Sequence, residues 1–357
     1  YYGIPYSNDM WPLHPAAIAK RKTDPDAKIP WPALPMIQAT TSAGVSIVND
    51  HVQPEDQAQM TRQFTERAVG FIRDSVQDQT PFFLYLPHPM VHVPLYASER
   101  FLGKSGAGLF GDVVMEVDWS VGEILATLKD LGVERETLVI FTSDNGPWLS
   151  YGTHAGKATP LREGKGTMFE GGYREPTLMW WPGKVPAGTE CDKLCSTIDI
   201  LPTVAALIGA DLPDRKIDGK DIRPLLFGQQ DAQSPHQAFW CYYKGGELQA
   251  VRNERFKLVF PHAYRTLKGH PGGAGGRPIP YQQDRVRRLT LFDLDRDLSE
   301  TKNVIEQHPA VVAELQAAAE RARSELGDKL TQRSGSDIRA AGQLEAEDET
   351  LPLDWTH

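Results

Sequence analysis

The chain has 357 residues, 40% of them hydrophobic, and 38 Lys and Arg stand against 47 Asp and Glu, giving a net charge of −9. This length predicts one large domain followed by a smaller one. The acidic balance argues against a general nucleic-acid-binding protein, and no run approaches the roughly 20 consecutive apolar residues that span a membrane. An anion-binding site is not excluded, because a pocket can be locally basic within an acidic protein.

The first 234 residues predict helices that alternate with buried strands. Residues 1–50 are rich in proline and turn residues and predict a long irregular surface segment. Helical spacing of apolar residues predicts helices at 53–77, 108–133 and 199–210. Continuous apolar runs predict buried strands at 81–87, 136–146 and 174–183. Such alternation is typical of an α/β fold with a mainly parallel sheet flanked by helices.

From about residue 235 the pattern changes to shorter runs with alternating polarity. Together with a helix predicted at 308–326, these runs predict a small antiparallel sheet packed against one helix. The predicted division is therefore an α/β domain at 1–234, a smaller α+β domain at 235–330 and an extended tail at 331–357. The three cysteines follow neither a disulfide nor a metal-binding pattern, and we predict buried free thiols.

The first candidate site lies in the sequence FTSDNGPW, at the carboxyl end of the strand predicted at 136–146. Ligands collect at this end of the strands in an open α/β sheet. The oxygens of Asp144 and Asn145 are hard ligands of the kind that Ca²⁺ or Mg²⁺ prefers. An Asx-type turn with Gly146 and Pro147 is the alternative, and spacing alone favours the turn.

The second candidate is the loop LPHPMVHVPL, residues 86–95. His88 and His92 are four residues apart, which on a helix is typical of a zinc site. Three prolines in the loop exclude a regular helix, so we expect a rigid loop that presents imidazoles near the same sheet edge. A histidine there can exchange a proton near neutral pH, although a histidine bonded to the backbone explains the pattern equally.

The third candidate is Lys165, which stands between two glycines in REGKGTMFEGGYREP. Glycines let the backbone approach a ligand closely, and a lysine supplies a compact positive charge for an anion. The Walker A pattern is absent, and an ordinary surface lysine is the alternative. If the three motifs converge, the cation and the lysine would stabilise charge on an anionic ester while the histidine protonates the leaving oxygen.

Taken together, these segments resemble the sulfatase family, close to its arylsulfatase A and N-acetylgalactosamine-6-sulfatase branch. The resemblance is carried by TLVIFTSDNGP, GKGTMFEGGYREPTLMWWPG, YYGIPYSNDM, PFFLYLPHPMVHVPL, VDWSVGEIL, IDILPTVAALIGADLP, IDGKDIRPLLFG and LTLFDLDRDLSETKNV. It covers residues 1–325 approximately. It implies an alkaline-phosphatase-like fold and hydrolysis of sulfate esters by a formylglycine together with calcium, with Mg²⁺ as an alternative ion.

The resemblance also implies roles for particular residues. Asp144 and Asn145 match two metal ligands, and Lys165 matches the lysine that binds sulfate. His92 matches the histidine that contacts sulfate and protonates the leaving group, and Ser7 matches a serine near the bound sulfate. Four further polar residues are interpreted as structural: His88, Asp118, Glu170 and Arg174, of which the last two are expected to pair beneath the Lys165 loop.

One departure from the family pattern is large. The family makes its formylglycine from Cys or Ser in Cys/Ser-x-Pro/Ala-x-Arg, and no cysteine of this chain stands in that pattern. The Asp-Asp metal pair and the Lys-x-His segment of the family are also absent. The expectation is a sulfatase without its N-terminal portion, including one strand and the nucleophile, and inactive by itself.

Two other hypotheses remain open at this point. One is a phosphodiesterase or phosphonate monoester hydrolase of the same superfamily, which likewise combines a metal ion with a nucleophile. The other is a chain without catalytic activity that binds sulfated glycans. The first residues lack the features of a signal peptide, and no Asn-x-Ser/Thr sequon occurs. From the family alone we predict a periplasmic or secreted protein acting on an aryl or sugar sulfate, with its oligomeric state open.

Overall fold

The computed structural model describes residues 1–339, and the last residues of the predicted tail, 340–357, lie outside them. The α-helices are α1 (Pro15–Thr23), α2 (Pro54–Gln57), α3 (Met60–Gln77), α4 (Gly108–Asp130), α5 (Glu170–Tyr173), α6 (Ile200–Ile208), α7 (Arg223–Leu226) and α8 (Pro309–Leu326). The helices predicted at 53–77, 108–133, 199–210 and 308–326 are all present, the first of them divided into α2 and α3. No helix within residues 1–339 combines the length and the apolar character needed to cross a membrane.

The strands within residues 1–339 form five small sheets. They are β1 (Tyr2–Gly3), β2 (Met36–Thr40), β3 (Gly44–Asn49), β4 (Val139–Thr142), β5 (Thr177–Trp180), β6 (Phe239–Tyr243), β7 (Glu247–Arg252), β8 (Phe256–Val259), β9 (His262–Thr266), β10 (Gln282–Val286), β11 (Thr290–Asp293), β12 (Gly327–Asp328) and β13 (Arg333–Ser334). The strand orders are β1-β2-β3, β4-β5, β11-β8-β7-β6, β10-β9 and β12-β13.

The parallel pairing expected in the first 234 residues is not seen, because every strand pair within residues 1–339 is antiparallel. The run 81–87 is extended but belongs to no ladder, and Phe83 and Tyr85 are 77% and 76% exposed. The prediction of a strand buried on both faces was therefore wrong for this segment. The segment is apolar, but a buried strand also needs hydrogen-bonded neighbours on both edges.

The first 50 residues are more ordered than their proline content predicts. Trp11 and Leu34 are fully buried and pack with Met60 and Phe64 of α3 in one core cluster. The Trp11 indole also donates a hydrogen bond to the carbonyl oxygen of Val52 at 2.9 Å. The prolines prevent long helices here, but apolar residues between them still bury their side chains. The prediction of an irregular surface segment was therefore wrong for these residues.

The antiparallel sheet predicted at 235–330 is confirmed. α8 covers the β11-β8-β7-β6 sheet, and Leu248, Leu258, Leu291 and Leu315 at their interface are fully buried. Burial of such side chains contributes about 2 kcal/mol each.

The cysteines differ from expectation: Cys241 is buried, but Cys191 and Cys195 are exposed. The segment that carries the latter two is a loop.

Candidate active site

The turn after β4 lies directly against the glycine-rich loop that carries Lys165. The Lys165 amide donates a hydrogen bond to the carbonyl oxygen of Pro147 at 3.0 Å, and the Gly146 amide donates to that of Gly172 at 3.1 Å. A Cβ atom added to Gly146 would come within 1.8 Å of the Gly171 carbonyl oxygen. Glycine is therefore required at this contact, which brings the Asp144 turn next to the Lys165 loop.

His92 and Lys165 are in direct contact. The Nζ of Lys165 lies 3.2 Å from Nε2 of His92. The other ring nitrogen, Nδ1, lies 3.1 Å from Oδ1 of Asn8 and 2.9 Å from the carbonyl oxygen of Val93. Because both oxygens are acceptors when the Asn8 amide is oriented in this way, Nδ1 carries the proton and Nε2 accepts a hydrogen bond from the Lys165 ammonium.

The surroundings of His92 favour its neutral form. Burial and then the Lys165 charge lower the pKa of His92, while the carboxylates of Asp9 and Asp144 act in the opposite direction. A neighbouring cation disfavours the imidazolium form of His92. A sulfate-like anion bound beside both groups would instead favour that protonated form. The pair is thus arranged to take up an anion together with a proton.

The indole ring of Trp148 packs against both His92 and Lys165. The His92 ring meets the Trp148 ring edge-on, with the centroids 5.8 Å apart, and Nζ of Lys165 lies 5.3 Å from the Trp148 centroid. A cation over an indole ring is attracted by the ring electrons. The indole therefore limits where the two polar groups can move.

Arg265, from β9, fixes the backbone of the Lys165 loop. Its Nε donates a hydrogen bond to the carbonyl oxygen of Lys165 at 3.0 Å, and its guanidinium lies 5.9 Å from the Trp148 centroid. A Cβ added to Gly166, whose φ is +84°, would come within 2.3 Å of this guanidinium. The site thus draws on a strand of the second predicted domain.

Sequence reasoning missed three of these residues. Trp148 stands in the same eight-residue motif as Asp144, and Asn8 is next to Ser7, so proximity to a predicted site residue could have indicated both. Arg265 has no local signal, because its contact with Lys165 joins positions 100 residues apart.

Ser7 lies one position before Asn8, in the turn that contacts His92. Asn8 is 2% exposed, and its amide also donates to Oε1 of Gln57 at 3.2 Å. The structure therefore places Ser7 beside the site, half-buried, and its role remains a prediction.

Asp144 and Asn145 provide the right kind of ligand for a hard cation but not the right number. Asp144 is exposed, and neither side chain is hydrogen-bonded to another residue within 1–339. Both oxygens are thus available to an ion, which fits the predicted chemistry. Residues 1–339 contain no group of three or more His, Cys, Asp or Glu side chains that could hold a metal ion. Ca²⁺ takes six or more oxygens, so the pair would be part of a site.

Glu170 belongs to a buried ionic cluster that anchors the Lys165 loop from beneath. The carboxylate lies 2.7 Å from Arg252 and 3.2 Å from Lys257, while Lys257 lies 2.8 Å from Glu300. Burial raises the pKa of Glu170, but the charges of Lys257 and Arg252 outweigh it and lower the pKa to about 2. Arg174 adds a longer contact of 3.5 Å. The predicted pairing of Glu170 and Arg174 is therefore present but secondary.

The remaining two polar candidates lie away from this arrangement. His88 is hydrogen-bonded to the Ser120 hydroxyl at 3.0 Å, and burial lowers its pKa to about 4. Asp118 is exposed on α4. Neither contacts His92 or Lys165 among the described residues.

Comparison with known proteins gives matches along most of the chain. The sulfatase family model matches residues 19–210, a model of the C-terminal part of N-sulphoglucosamine sulphohydrolase matches 164–268, and one of the C-terminal region of aryl-sulfatase matches 234–345. Arylsulfatase A of Bos taurus is 36% identical over 89% of this chain and 62% of its own length. N-acetylgalactosamine-6-sulfatase of Canis lupus familiaris is 43% identical over 68% of this chain and 48% of its own length.

A solved structure of a sulfatase from Pseudoalteromonas sp. superposes with a TM-score of 0.78 and 24% identity, covering 90% of this chain and 64% of that one. The chain belongs to the sulfatase family and has its alkaline-phosphatase-like α/β fold. It spans about half to three fifths of the length of the curated relatives described here.

Proposed function

We propose that the protein of which these 357 residues are part hydrolyses sulfate esters of sugars or aryl alcohols. The proposal rests on one observation above the others: Lys165 and His92 are in contact, with Lys165 over Trp148, and the carboxylate of Asp144 acts on His92 electrostatically. Relatives named for arylsulfatase A and N-acetylgalactosamine-6-sulfatase support the same substrate class.

The reaction adds water to a sulfate ester, breaks the bond between sulfur and the leaving oxygen, and releases an alcohol and sulfate. Lys165 would bind a sulfate oxygen through its ammonium, since a fixed charge stabilises the transition state most when it is already in place. The leaving oxygen needs a proton, which His92 would deliver from Nε2. Asn8 would hold the His92 ring in place through Nδ1, and Ser7 would contact the sulfate.

Two parts of the site would come from outside residues 1–357. A formylglycine would supply the nucleophile, and a divalent ion, Ca²⁺ or Mg²⁺, would be held by Asp144 and Asn145 together with further ligands. When bound, the ion would neutralise charge on the sulfate group. No cysteine of the chain lies in the sequence pattern that yields formylglycine, so we propose that the chain is inactive by itself.

The proposal is tested by assaying the complete protein against an aryl sulfate and the matching aryl phosphate, with and without a chelator. We expect a preference for sulfate, loss of activity on chelation, and recovery with Ca²⁺. Lys165→Met should lower kcat/KM by at least about a hundredfold, the order seen when one transition-state donor is removed. Lys184→Met, which changes an exposed lysine after β5, should have no effect.

A preference for the phosphate ester would favour the phosphodiesterase hypothesis instead. Binding of sulfated glycans without any hydrolysis by the complete protein would favour a purely binding role. Substantial sulfate hydrolysis by residues 1–357 alone would contradict the proposed source of the nucleophile. Export to the periplasm or the medium is part of the proposal and is tested by fractionating cells that express the complete protein.

A further inference from the structure

The hairpin of β9 and β10, here called the basic hairpin (residues 262–288), carries a charge opposite to that of the chain. It contains six Lys and Arg and one carboxylate, a net charge of +5, whereas the whole chain has −9. A local field of this sign attracts anions and raises their association rate. The basic hairpin is therefore a candidate surface for an anionic ligand.

The cations of the basic hairpin are not neutralised by the protein. Lys268, Arg277, Arg285, Arg287 and Arg288 are exposed, and none of them forms an ion pair with a carboxylate among residues 1–339. The one carboxylate of the hairpin, Asp284, accepts a hydrogen bond from the Arg285 backbone amide at 2.7 Å. Some exposed cations elsewhere are neutralised: Lys216 and Arg339 each contact two or more carboxylates.

Strand register connects these cations to the candidate active site. Arg265 faces Gln283 across the ladder, and Ala263 faces Arg285. Residues opposite one another in an antiparallel pair share a face, so Arg265 and Arg285 lie on the same face, two strand positions apart, about 7 Å. Because Arg265 donates to the carbonyl oxygen of Lys165, this face continues from the site.

Aromatic rings lie beside the same path. The Arg265 guanidinium lies 4.6 Å from the centroid of Tyr281, and the Tyr281 hydroxyl accepts a hydrogen bond from the Ser150 amide at 3.2 Å. On its other side the guanidinium lies near Trp148. Partly exposed aromatic rings offer apolar faces with a polar edge, which suits a ligand that alternates ring faces with charged groups.

We propose that the basic hairpin binds the sulfate groups of a sulfated oligosaccharide or polysaccharide that extends from the ester held at Lys165. The inference rests on the proposed function and narrows its substrate class from any aryl or sugar sulfate to a glycan with several sulfates. Arg285, Arg287 and Arg288 would contact groups beyond the cleaved ester, and Arg265 would join the two regions.

The binding test uses residues 1–357 and chondroitin sulfate oligosaccharides, measured by calorimetry at low and at moderate NaCl. The triple variant R285Q/R287Q/R288Q should weaken binding about tenfold, since three modest exposed ion contacts are lost. The control triple R73Q/K129Q/K184Q removes the same charge from exposed positions on α3, on α4 and after β5 and should change the affinity less than twofold. Both variants are checked for an unchanged melting temperature.

Three results would overturn the inference: the two triple variants weaken binding equally, the hairpin triple binds like the parent chain, or duplex DNA binds as tightly as the sulfated probe. Hyaluronan, which carries carboxylates but no sulfate, should bind more weakly than chondroitin sulfate. Equal affinity for both would mean that the hairpin does not recognise sulfate.

A second measurement separates this inference from the proposed function. In the complete protein, the hairpin triple should lower the ratio of kcat/KM for a sulfated oligosaccharide to kcat/KM for a small aryl sulfate about tenfold, through KM rather than kcat. If the complete protein hydrolyses no sulfate ester but the binding results hold, the proposed function fails and the hairpin remains a glycan-binding surface. If it hydrolyses both substrates and the ratio stays constant, the hairpin inference fails alone.

Discussion

At the scale of single residues, the His92 ring has hydrogen-bonding partners on both of its nitrogens. Asn8 and the backbone hold Nδ1, and Lys165 holds Nε2. Orientation of a catalytic imidazole by a hydrogen bond to its far nitrogen fixes both its tautomer and its direction. His92 and Lys165 therefore form one unit, although their roles in catalysis remain predictions.

Replacing Lys165 tests the electrostatic part of this unit. In residues 1–357, Lys165→Met should raise the pKa of His92, because a cation that disfavours the imidazolium is removed. A histidine NMR titration measures this directly, with His92→Gln used to assign the signal. Lys157→Met, which removes a lysine that makes no contact with His92 among residues 1–339, is the control. An unchanged pKa of His92 in Lys165→Met would contradict the arrangement.

Replacing Asn8 tests the contact at Nδ1 of the His92 ring. Asn8→Asp should raise the pKa of His92, since a carboxylate next to Nδ1 stabilises the imidazolium. Asn8→Ser keeps a polar side chain without adding charge and should shift the pKa less. In the complete protein, the Asn8→Asp change should move the pH dependence of kcat in the same direction, which a merely structural residue would not do.

Replacing Gly166 tests how closely the Arg265 guanidinium must approach the backbone of the Lys165 loop. Gly166→Ala combines a positive φ with a Cβ 2.3 Å from the guanidinium, whereas Gly103→Ala has a φ of +74° and no neighbour within 4 Å. The control should cost about 1–2 kcal/mol from backbone conformation alone. Gly166→Ala should cost more in urea unfolding, and equal costs would mean that Arg265 moves aside freely.

At the scale of structural elements, the Lys165 loop is held by charges rather than by a strand. Glu170 begins α5, and its carboxylate contacts Arg252 of β7 and Lys257 of β8. The loop is thereby joined to the antiparallel sheet of the second predicted domain. This contact explains how a short glycine-rich segment can keep Lys165 in position.

Lys257→Met should be strongly destabilising, by about 3–5 kcal/mol, because it leaves two carboxylates buried without their shared cation. Lys193→Met removes a cation from a partly exposed pair with Glu254 and should cost less than about 1 kcal/mol. Urea unfolding of both variants measures the difference. Similar values would show that the buried cluster relaxes when the lysine is lost.

At the scale of the whole molecule, several buried histidines make stability depend on pH. Burial lowers the pKa values of His14, His88, His92, His154 and His262. In the unfolded chain these histidines take up protons near pH 6.5, so the unfolded state binds more protons as the pH falls. Stability should therefore decrease from about pH 7 downward.

For His88, the expected loss of stability at low pH can be estimated. One unit of pKa corresponds to about 1.4 kcal/mol, so a folded pKa of about 4 corresponds to a loss of about 3 kcal/mol by pH 4. His88→Gln, which cannot take up the proton, should flatten the dependence of the free energy of unfolding on pH between 6.5 and 4. The same slope in both proteins would contradict the burial of a neutral imidazole.

The sequence by itself determined the helices, the antiparallel sheet under α8 and the family, because apolar periodicity and motif spacing are local properties. It also indicated His92, Lys165, Ser7, Asp144 and Asn145. Proline content in residues 1–50 misled the prediction of burial, since Trp11 and Leu34 are buried by contacts distant in sequence. The run at 81–87 misled the prediction of a strand, since pairing depends on neighbours that a single segment does not contain.

Only the tertiary structure decided how the site is assembled. It placed the Lys165 ammonium on the His92 ring and over Trp148, and it brought Arg265 from a distant strand onto the Lys165 backbone. It also left the cations of the basic hairpin exposed beside that contact. Hydrogen bonds and charge interactions act through space, so a sequence can supply these residues while only the folded chain brings them together.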